Sequence, residues 1–385
     1  MFLWVKLLAE NLGGPLRSKE KLKKIKEIPP GLDSMYDHIL KDICSQNKDI
    51  RSTVFLVLLW VMHAWRPLSR VEMLYAVADY SEATTLKDAS KYDKAEHLVA
   101  MCANLVFIDK DGRFLLCHES VRSHLEKVTP DATQPLSEFH QQILNAQQRL
   151  AEICLNYLLL DDFERGAALS MDGLSSFANR KPFLEYASNW DLHVTKENAS
   201  LLHNLIMRSV NSQPRRELSM QFALLEVENL ATGITTKLWN YSGTSNPLHL
   251  LAICGLKQTA ESTTGVISLA LEADGSGRTP LTYAMERQHH DMTLWLIDQT
   301  QNTRGQSLGV TQKLSAIHLA AEHGWADILD KLLSQNEDLV NLKARPDGET
   351  PLVRACSAGR KEAAETLIRH KANVNLIDGR GDYLS

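Results

Sequence analysis

The residue types that catalyse reactions or hold metals are all present in this chain, but their spacing does not support that chemistry. A nucleotide-binding loop of the GxxxxGK[ST] kind needs backbone amides to cradle phosphates and a lysine to meet the β and γ oxygens. No Gly-Lys dipeptide occurs in the 385 residues, and the nearest basic-flanked glycines, Gly13-Gly14 and Gly359-Arg-Lys361, have the wrong spacing. Leu158-Leu-Leu-Asp-Asp162 imitates a strand ending in a magnesium-binding aspartate, yet it closes a helical run of Leu150, Ile153, Cys154, Tyr157 and Leu158. There is no GxSxG elbow, no HExxH pair and no recognisable cysteine nucleophile with a likely base. Metal or acid/base roles are not expected of His249 and His318, and His289-His290 reads as exposed turn. Cys44, Cys102, Cys117, Cys154, Cys254 and Cys356 stand singly, without a CxxC pair, and read as reduced thiols of a reducing compartment. The sequence therefore predicts no enzyme, no cofactor, no metal and no nucleotide for this chain alone.

The composition points the same way. Hydrophobic residues make up 44% and charged residues 23%, a globular balance over a length that suits two or three domains. The net charge is −5, with 14 Lys+Arg against 17 Asp+Glu from Tyr241 to Ser385 and 28 against 30 before it. Phosphate-wrapping proteins carry a basic excess, so this balance argues against a nucleic-acid partner. The longest apolar run, Val54 to Met62, is far short of the roughly 20 residues that span a bilayer, and Met1–Lys6 lacks the basic start of a signal peptide. The expected location is cytoplasmic, with the nucleus open.

The histidines belong to a repeat. Asn246-Pro-Leu-His-Leu-Leu-Ala252, Thr279-Pro-Leu-Thr-Tyr-Ala284, Ser315-Ala-Ile-His-Leu-Ala-Ala321 and Thr350-Pro-Leu-Val-Arg-Ala355 align, with starts 33, 36 and 35 residues apart. Thr or Ser at the start caps free amides, and Pro247, Pro280 and Pro351 sit just inside, where no amide is needed. Nine positions on come Gly255, Gln288, Gly324 and Gly359, where the helix should end in the left-handed conformation. A second apolar helix follows, clearest at Trp325–Leu333 and Lys361–Ile368. One such unit cannot bury its apolar face; a stack of four can. These residues resemble the ankyrin repeat, with its TPLHxAxxxG signature. The resemblance implies that the rings of His249 and His318 hydrogen-bond the adjacent repeat. Asp274, Arg278, Arg345, Asp347, Asp378 and Arg380 fall at the hairpin tips and are the candidate protein-binding residues.

Ahead of the repeats the pattern is helical. Phe2 to Leu12 forms an apolar helix, Arg17 to Ile28 a basic one, and Pro29-Pro30-Gly31 a stop. The next helix buries Met35, Tyr36, Ile39, Leu40 and Ile43; Val54–Trp65 is apolar all round. Helices Val71–Val77 and Asp93–Asn104 precede a hairpin of Leu105–Ile108 and Arg113–Cys117 around Asp109-Lys-Asp-Gly112, the pattern of a winged helix. The wing's charges are balanced rather than basic. A helical segment from Gln134 to Leu160 and a poorly patterned region ending near Leu238 complete this part.

Taken in order, Phe2-Leu-Trp-Val-Lys-Leu7, Ile28-Pro-Pro-Gly-Leu-Asp33, Arg66-Pro-Leu68, the wing, His118-Glu-Ser-Val121 and Pro182-Phe-Leu-Glu-Tyr186 resemble the region behind the nucleotide-binding core of fungal NACHT–ankyrin proteins, of the STAND class. That resemblance implies a mainly α chain: 1–50 a helical segment, 51–130 a winged-helix-like domain, 131–240 a helical linker and 241–385 about four ankyrin repeats with the start of a fifth. Against that family both ends look cut, leaving either a short gene or part of a longer protein. The expected function is a non-enzymatic, regulatory interaction protein that binds an unidentified protein partner through the ankyrin surface. The alternatives are the effector portion of a STAND NTPase without its P-loop, or an ankyrin coregulator beside a secondary-metabolite pathway.

Overall fold

The computed structural model describes residues 31–89, 92–127, 134–164, 180–231, 244–302, 310–344 and 348–376. The expected helices of residues 2–12 and 17–28, with the basic run, lie outside them. The chain divides into two units, Met1–Asn198 and Ala199–Ser385. The division falls inside the stretch expected as a helical linker, 131–240.

The first unit is built on α1 (Leu32–Cys44), which buries the expected stripe Met35, Tyr36, Ile39, Leu40 and Ile43. Asn47 caps α2 (Lys48–His63) by accepting from the Ile50 amide, and α2 is buried from Val54 to Met62 except at Leu56 and Val61, which are half-buried. Ser69 and Glu72 form a reciprocal cap on α3 (Arg70–Ala76). The next helix, α4 (Ala95–Met101), is shorter than the expected 93–104, because Ala103 and Asn104 turn the chain with φ of 46° and 65°.

The expected hairpin follows as β1 (Val106–Ile108) and β2 (Phe114–Leu116), antiparallel, with Val106 opposite Leu116 and Ile108 opposite Phe114. Asp109 shapes its turn by accepting from the amides of Asp111 (2.9 Å) and Arg113 (2.8 Å). Ser69 bridges to Arg113, so the Pro67–Ser69 segment lies along the wing as a third short edge. Behind it come α5 (Glu119–Leu125), α6 (Gln134–Leu144), α7 (Ala146–Leu158) and α8 (Leu184–Ser188). The segment that imitates a magnesium-binding strand is the end of α7 followed by a tight turn, Asp161–Phe163. Asp162 there is committed to the Leu86 amide at 2.7 Å and to the Lys181 ammonium.

Two pairs of sequence motifs meet in this unit. Tyr36 of α1 hydrogen-bonds Ser120 at 2.8 Å, and His124 of α5 lies between Asp33 (3.2 Å) and Asp37 (3.0 Å). The Arg66 guanidinium pairs with Glu72 at 2.7 Å and Glu185 at 3.2 Å while stacking over Trp65 and Tyr186. Trp60, Phe183, Tyr186 and His193 pack edge to face beneath it, worth about 0.5–1.5 kcal/mol per pair beyond burial.

The second unit opens with α9 (Ala199–Asn211) and α10 (Gln213–Ala231). Four helix pairs then stack in sequence: α11 (Pro247–Ile253) with α12 (Lys257–Glu261), α13 (Pro280–Glu286) with α14 (His290–Asn302), α15 (Val310–His323) with α16 (Ala326–Gln335), and α17 (Pro351–Ser357) with α18 (Lys361–Arg369). First helices pack on first helices, and second on second where α12 meets α14 and α16 meets α18. The α9–α10 hairpin covers the face of the first pair, α9 against α12 and α10 against α11. Buried Arg216 fastens it by donating to the carbonyls of Ser245 (2.6 Å) and Val210 (2.7 Å).

Candidate functional site

The array is the surface on which a partner would sit, and its joints explain why its buried polar residues are not available to one. At the start of each first helix a side chain closes free amides. Asn246 accepts from the amides of Leu248 and His249, Thr279 from that of Thr282, and Thr350 from that of Val353, each with proline next in line. The third unit departs from this. With Ser315-Ala316 in place of Thr-Pro, nothing stops the helix, and α15 runs back through Ser315 to Val310. Ser315 is thus inside a helix rather than its cap.

The two signature histidines do what the repeat resemblance implied. The buried His249 ring accepts from the Asn246 amide at Nδ1 (3.0 Å) and donates from Nε2 to the Arg278 carbonyl (3.1 Å), in the following repeat. His318 makes the same bond to the Glu349 carbonyl at 3.0 Å. Burial holds His249 below the usual histidine range, against the opposing pull of the Arg278 carbonyl and Asp274. A neutral ring with its proton on Nε2 satisfies both bonds.

A second set of joint bonds has no counterpart in the sequence reading. His289 donates to the Ile253 carbonyl at 2.7 Å, His323 to that of Met285 at 3.1 Å and Arg360 to that of Glu322 at 2.9 Å. Each reaches back one repeat and caps carbonyls that the end of a first helix leaves open. His289, expected as exposed turn, is half-buried for this reason. The available signal was a histidine or arginine near the glycine position, too common in turns to be read alone.

The ninth position is left-handed in every repeat: φ is 66° at Gly255, 59° at Gln288, 84° at Gly324 and 67° at Gly359. At Gly255 an added Cβ would also lie 2.5 Å from the His289 ring. Gln288 bears the steric cost that glycine avoids, and its side chain is exposed. Gln288→Gly is therefore expected to stabilise the array by about 1 kcal/mol, read as a higher urea midpoint at unchanged slope. An unchanged or lower midpoint contradicts this reading.

Of the candidate tip residues, Asp274 is corrected. It is 5% exposed, and its carboxylate is used within its own turn. One oxygen accepts from the Ser276 amide (2.9 Å), the Ser276 hydroxyl (2.6 Å) and the Arg278 amide (3.0 Å); the other accepts from the Tyr283 hydroxyl (2.6 Å). Burial alone would raise its pKa, but these donors outweigh burial and hold it below the usual carboxylate value. Arg278 keeps an exposed edge while its guanidinium stacks over Tyr283 and faces Glu286 at 3.8 Å. Arg345, Asp347, Asp378 and Arg380 lie outside the described residues.

None of the six cysteines forms a disulfide. Among the described residues no group of three His, Cys, Asp or Glu is placed to hold a metal ion, and no helix is long and apolar enough to cross a membrane.

Comparison with known proteins agrees with both units. Residues 303–378 match the family of ankyrin repeats, in three copies, and residues 41–139 match the winged helix domain of GPI inositol-deacylase. The first two helix pairs, α11 to α14, precede the matched ankyrin residues and show the same stacking. A stretch of 85 residues is 35% identical to the E3 ubiquitin-protein ligase KEG of Arabidopsis thaliana, covering 22% of this chain and 5% of that protein. The chain thus spans about a twentieth of that relative's length. Among solved structures, the Bd0816 predatory endopeptidase from Bdellovibrio bacteriovorus in complex with immunity protein Bd3460 is similar at 22% identity. That likeness covers 46% of this chain and 88% of the other at a TM-score of 0.31, too loose to bear on function. The chain is a mainly helical protein with a winged-helix domain in its N-terminal part and ankyrin repeats, a protein-binding architecture, in its C-terminal part.

Proposed function

We propose that this chain is a non-enzymatic regulatory scaffold that captures a protein partner on the tips and inner face of its ankyrin array. The observation that carries this reading is the use of buried polar groups. His249, His318, Asp274 and Arg216 are all spent on holding helix pairs in register, which builds a rigid surface rather than a reaction centre. Arg278 supplies the exposed edge of one tip. Replacing Arg278, Arg345, Asp347, Asp378 and Arg380 together with alanine is expected to abolish partner capture from the source organism while leaving helical circular dichroism unchanged. Capture that survives the five substitutions defeats the assignment of the tips. Asp274 is left out of that set, because changing it would damage the turn itself.

The winged-helix match over residues 41–139 favours a second reading, the effector portion of a STAND signalling NTPase. Under it this chain binds neither ATP nor GTP, whereas a longer product carrying a nucleotide-binding core does. Calorimetry on both chains separates the two readings.

A further inference from the structure

The three joints between the four helix pairs are not fastened alike. At the first, His249 of α11 donates to the Arg278 carbonyl; at the third, His318 of α15 donates to that of Glu349. At the second the aligned residue is Thr282, whose hydroxyl meets that of Thr279 in its own turn at 3.2 Å. The acceptor is missing as well. Arg278 and Glu349 stand immediately before the capping threonines and outside any helix, so each carbonyl keeps a lone pair for the ring. The equivalent residue before Ser315 is Leu314, which lies inside α15, where the carbonyl is used along the helix. Two separate departures from the repeat, Thr282 and Ser315-Ala316, thus remove both ends of the same bond.

The remaining contacts of the second joint are looser in the same sense. Gly255 and Gly324 let the next repeat come close: a Cβ there would lie 2.5 Å from the His289 ring and 3.0 Å from the Arg360 side chain. Gln288 carries a Cβ at the aligned position. The bond reaching back across this joint, from His323 to the Met285 carbonyl, is 3.1 Å long, against 2.7 Å and 2.9 Å at the other two. Among the second helices, α12 packs on α14 and α16 on α18. Between α14 and α16, side chains reach across instead: His290 to Asp327 at 3.0 Å, Lys331 to Asp298, and the His290 ring edge-on to Trp325. Ion pairs as exposed as these contribute little to stability in water. The packing of α13 on α15 is what chiefly holds the two sides together.

We propose that this second joint is a hinge, dividing the array into a half of α9–α14 and a half of α15–α18 that open and unfold separately. In a one-dimensional stack, cooperativity passes only through neighbouring contacts, so the weakest joint decides where the stack parts. Each half keeps one ring-to-carbonyl bond of its own, from His249 in the first and His318 in the second. A partner on the inner face then meets two rigid plates at an adjustable angle, which extends the scaffold reading without depending on it.

The test destabilises one half and watches the other. Leu251 of α11 and Leu329 of α16 are both 0% exposed, so alanine at either weakens the half that holds it. The full chain is pulse-labelled by hydrogen exchange across a urea series and read by peptide mass spectrometry. Leu329→Ala is expected to lower the midpoint of the α15–α18 peptides by about 1 M, and that of the α9–α14 peptides by less than about 0.3 M. Leu251→Ala should reverse the pattern. Both halves moving in step in either variant overturns the proposal. Thr282→His with Ser315→Thr and Ala316→Pro restores the donor, the cap and the helix stop. Added to Leu329→Ala, these three changes are expected to make the two midpoints fall together. A restored chain that folds, by circular dichroism, and whose halves still part also overturns it. No partner enters this experiment, so it and the tip substitutions succeed or fail separately.

Discussion

Asp274→Ala is expected to lower the unfolding free energy of the array by about 3 kcal/mol, the cost of stranding buried donors that an anion had satisfied. The carboxylate accepts two amides and two hydroxyls, and the Tyr283 hydroxyl is buried against it. Asp274 also shapes the turn whose Arg278 carbonyl receives His249, so the loss spreads to the joint between the first two repeats. Tyr283→Phe alone should cost less, about 1.5 kcal/mol, and should cost almost nothing once Asp274 is alanine. That non-additivity, measured by urea unfolding of the four chains of the cycle, is the signature. Additive losses would mean that the two side chains are not a unit.

The second large effect is on acidification of the first unit. His193 is buried, donating from Nδ1 to Gln147 at 2.6 Å and accepting from the Tyr186 hydroxyl at Nε2 at 2.9 Å, which itself accepts from the Trp65 amide. Burial, with a smaller push from His63, takes its pKa down to about 4. The unfolded chain binds the proton near pH 6.5, so on acidification it takes up a proton that the folded chain refuses. The stabilisation is complete above about pH 6.5 and is lost as pH falls towards 4, with a total of about 3 kcal/mol. Most of that window lies above the range where carboxylates titrate, so a decline between pH 6.5 and 4.5 belongs to histidine. His193→Gln should flatten it in guanidinium unfolding followed by tryptophan fluorescence, leaving the shares from His63 and, in the array, from His249, His289 and His323, whose pKa values burial also lowers. An unchanged slope in His193→Gln would reject this assignment.

What was legible in the sequence was whatever had a period or a short-range signature. The repeat, the α1 stripe and the Asp-Gly hairpin were read from spacing alone, and the structure places each where expected. The α10 helix was not legible, for a definite reason. Every residue from Arg216 to Ala223 is buried, including Arg216, Glu217, Ser219 and Gln221, so this stretch shows no polar face and its pattern is flat. That stretch reads as the tail of a helical linker, and the division of the chain at Ala199 falls inside it. Asp274 misled in the opposite sense. A charged residue in a turn reads as surface, and only the arrival of Tyr283 from the next helix removes it from solvent. Ser315 passed for a cap because its type allows it, although a helix ends only where something ends it.

The α9–α10 hairpin has a consequence for synthesis. It precedes the first repeat in the chain, so it leaves the ribosome before any repeat does and offers a finished edge on which α11 and α12 can settle. Each later repeat then meets a neighbour already in place, and the growing array need never show more than its newest face to its surroundings. A chain begun at Tyr241 would lack that seat, along with the Arg216 fastening, and its first repeat would enter the world with an apolar flank uncovered. Vectorial growth from a covered end makes the order of the helices along the chain a safeguard against aggregation.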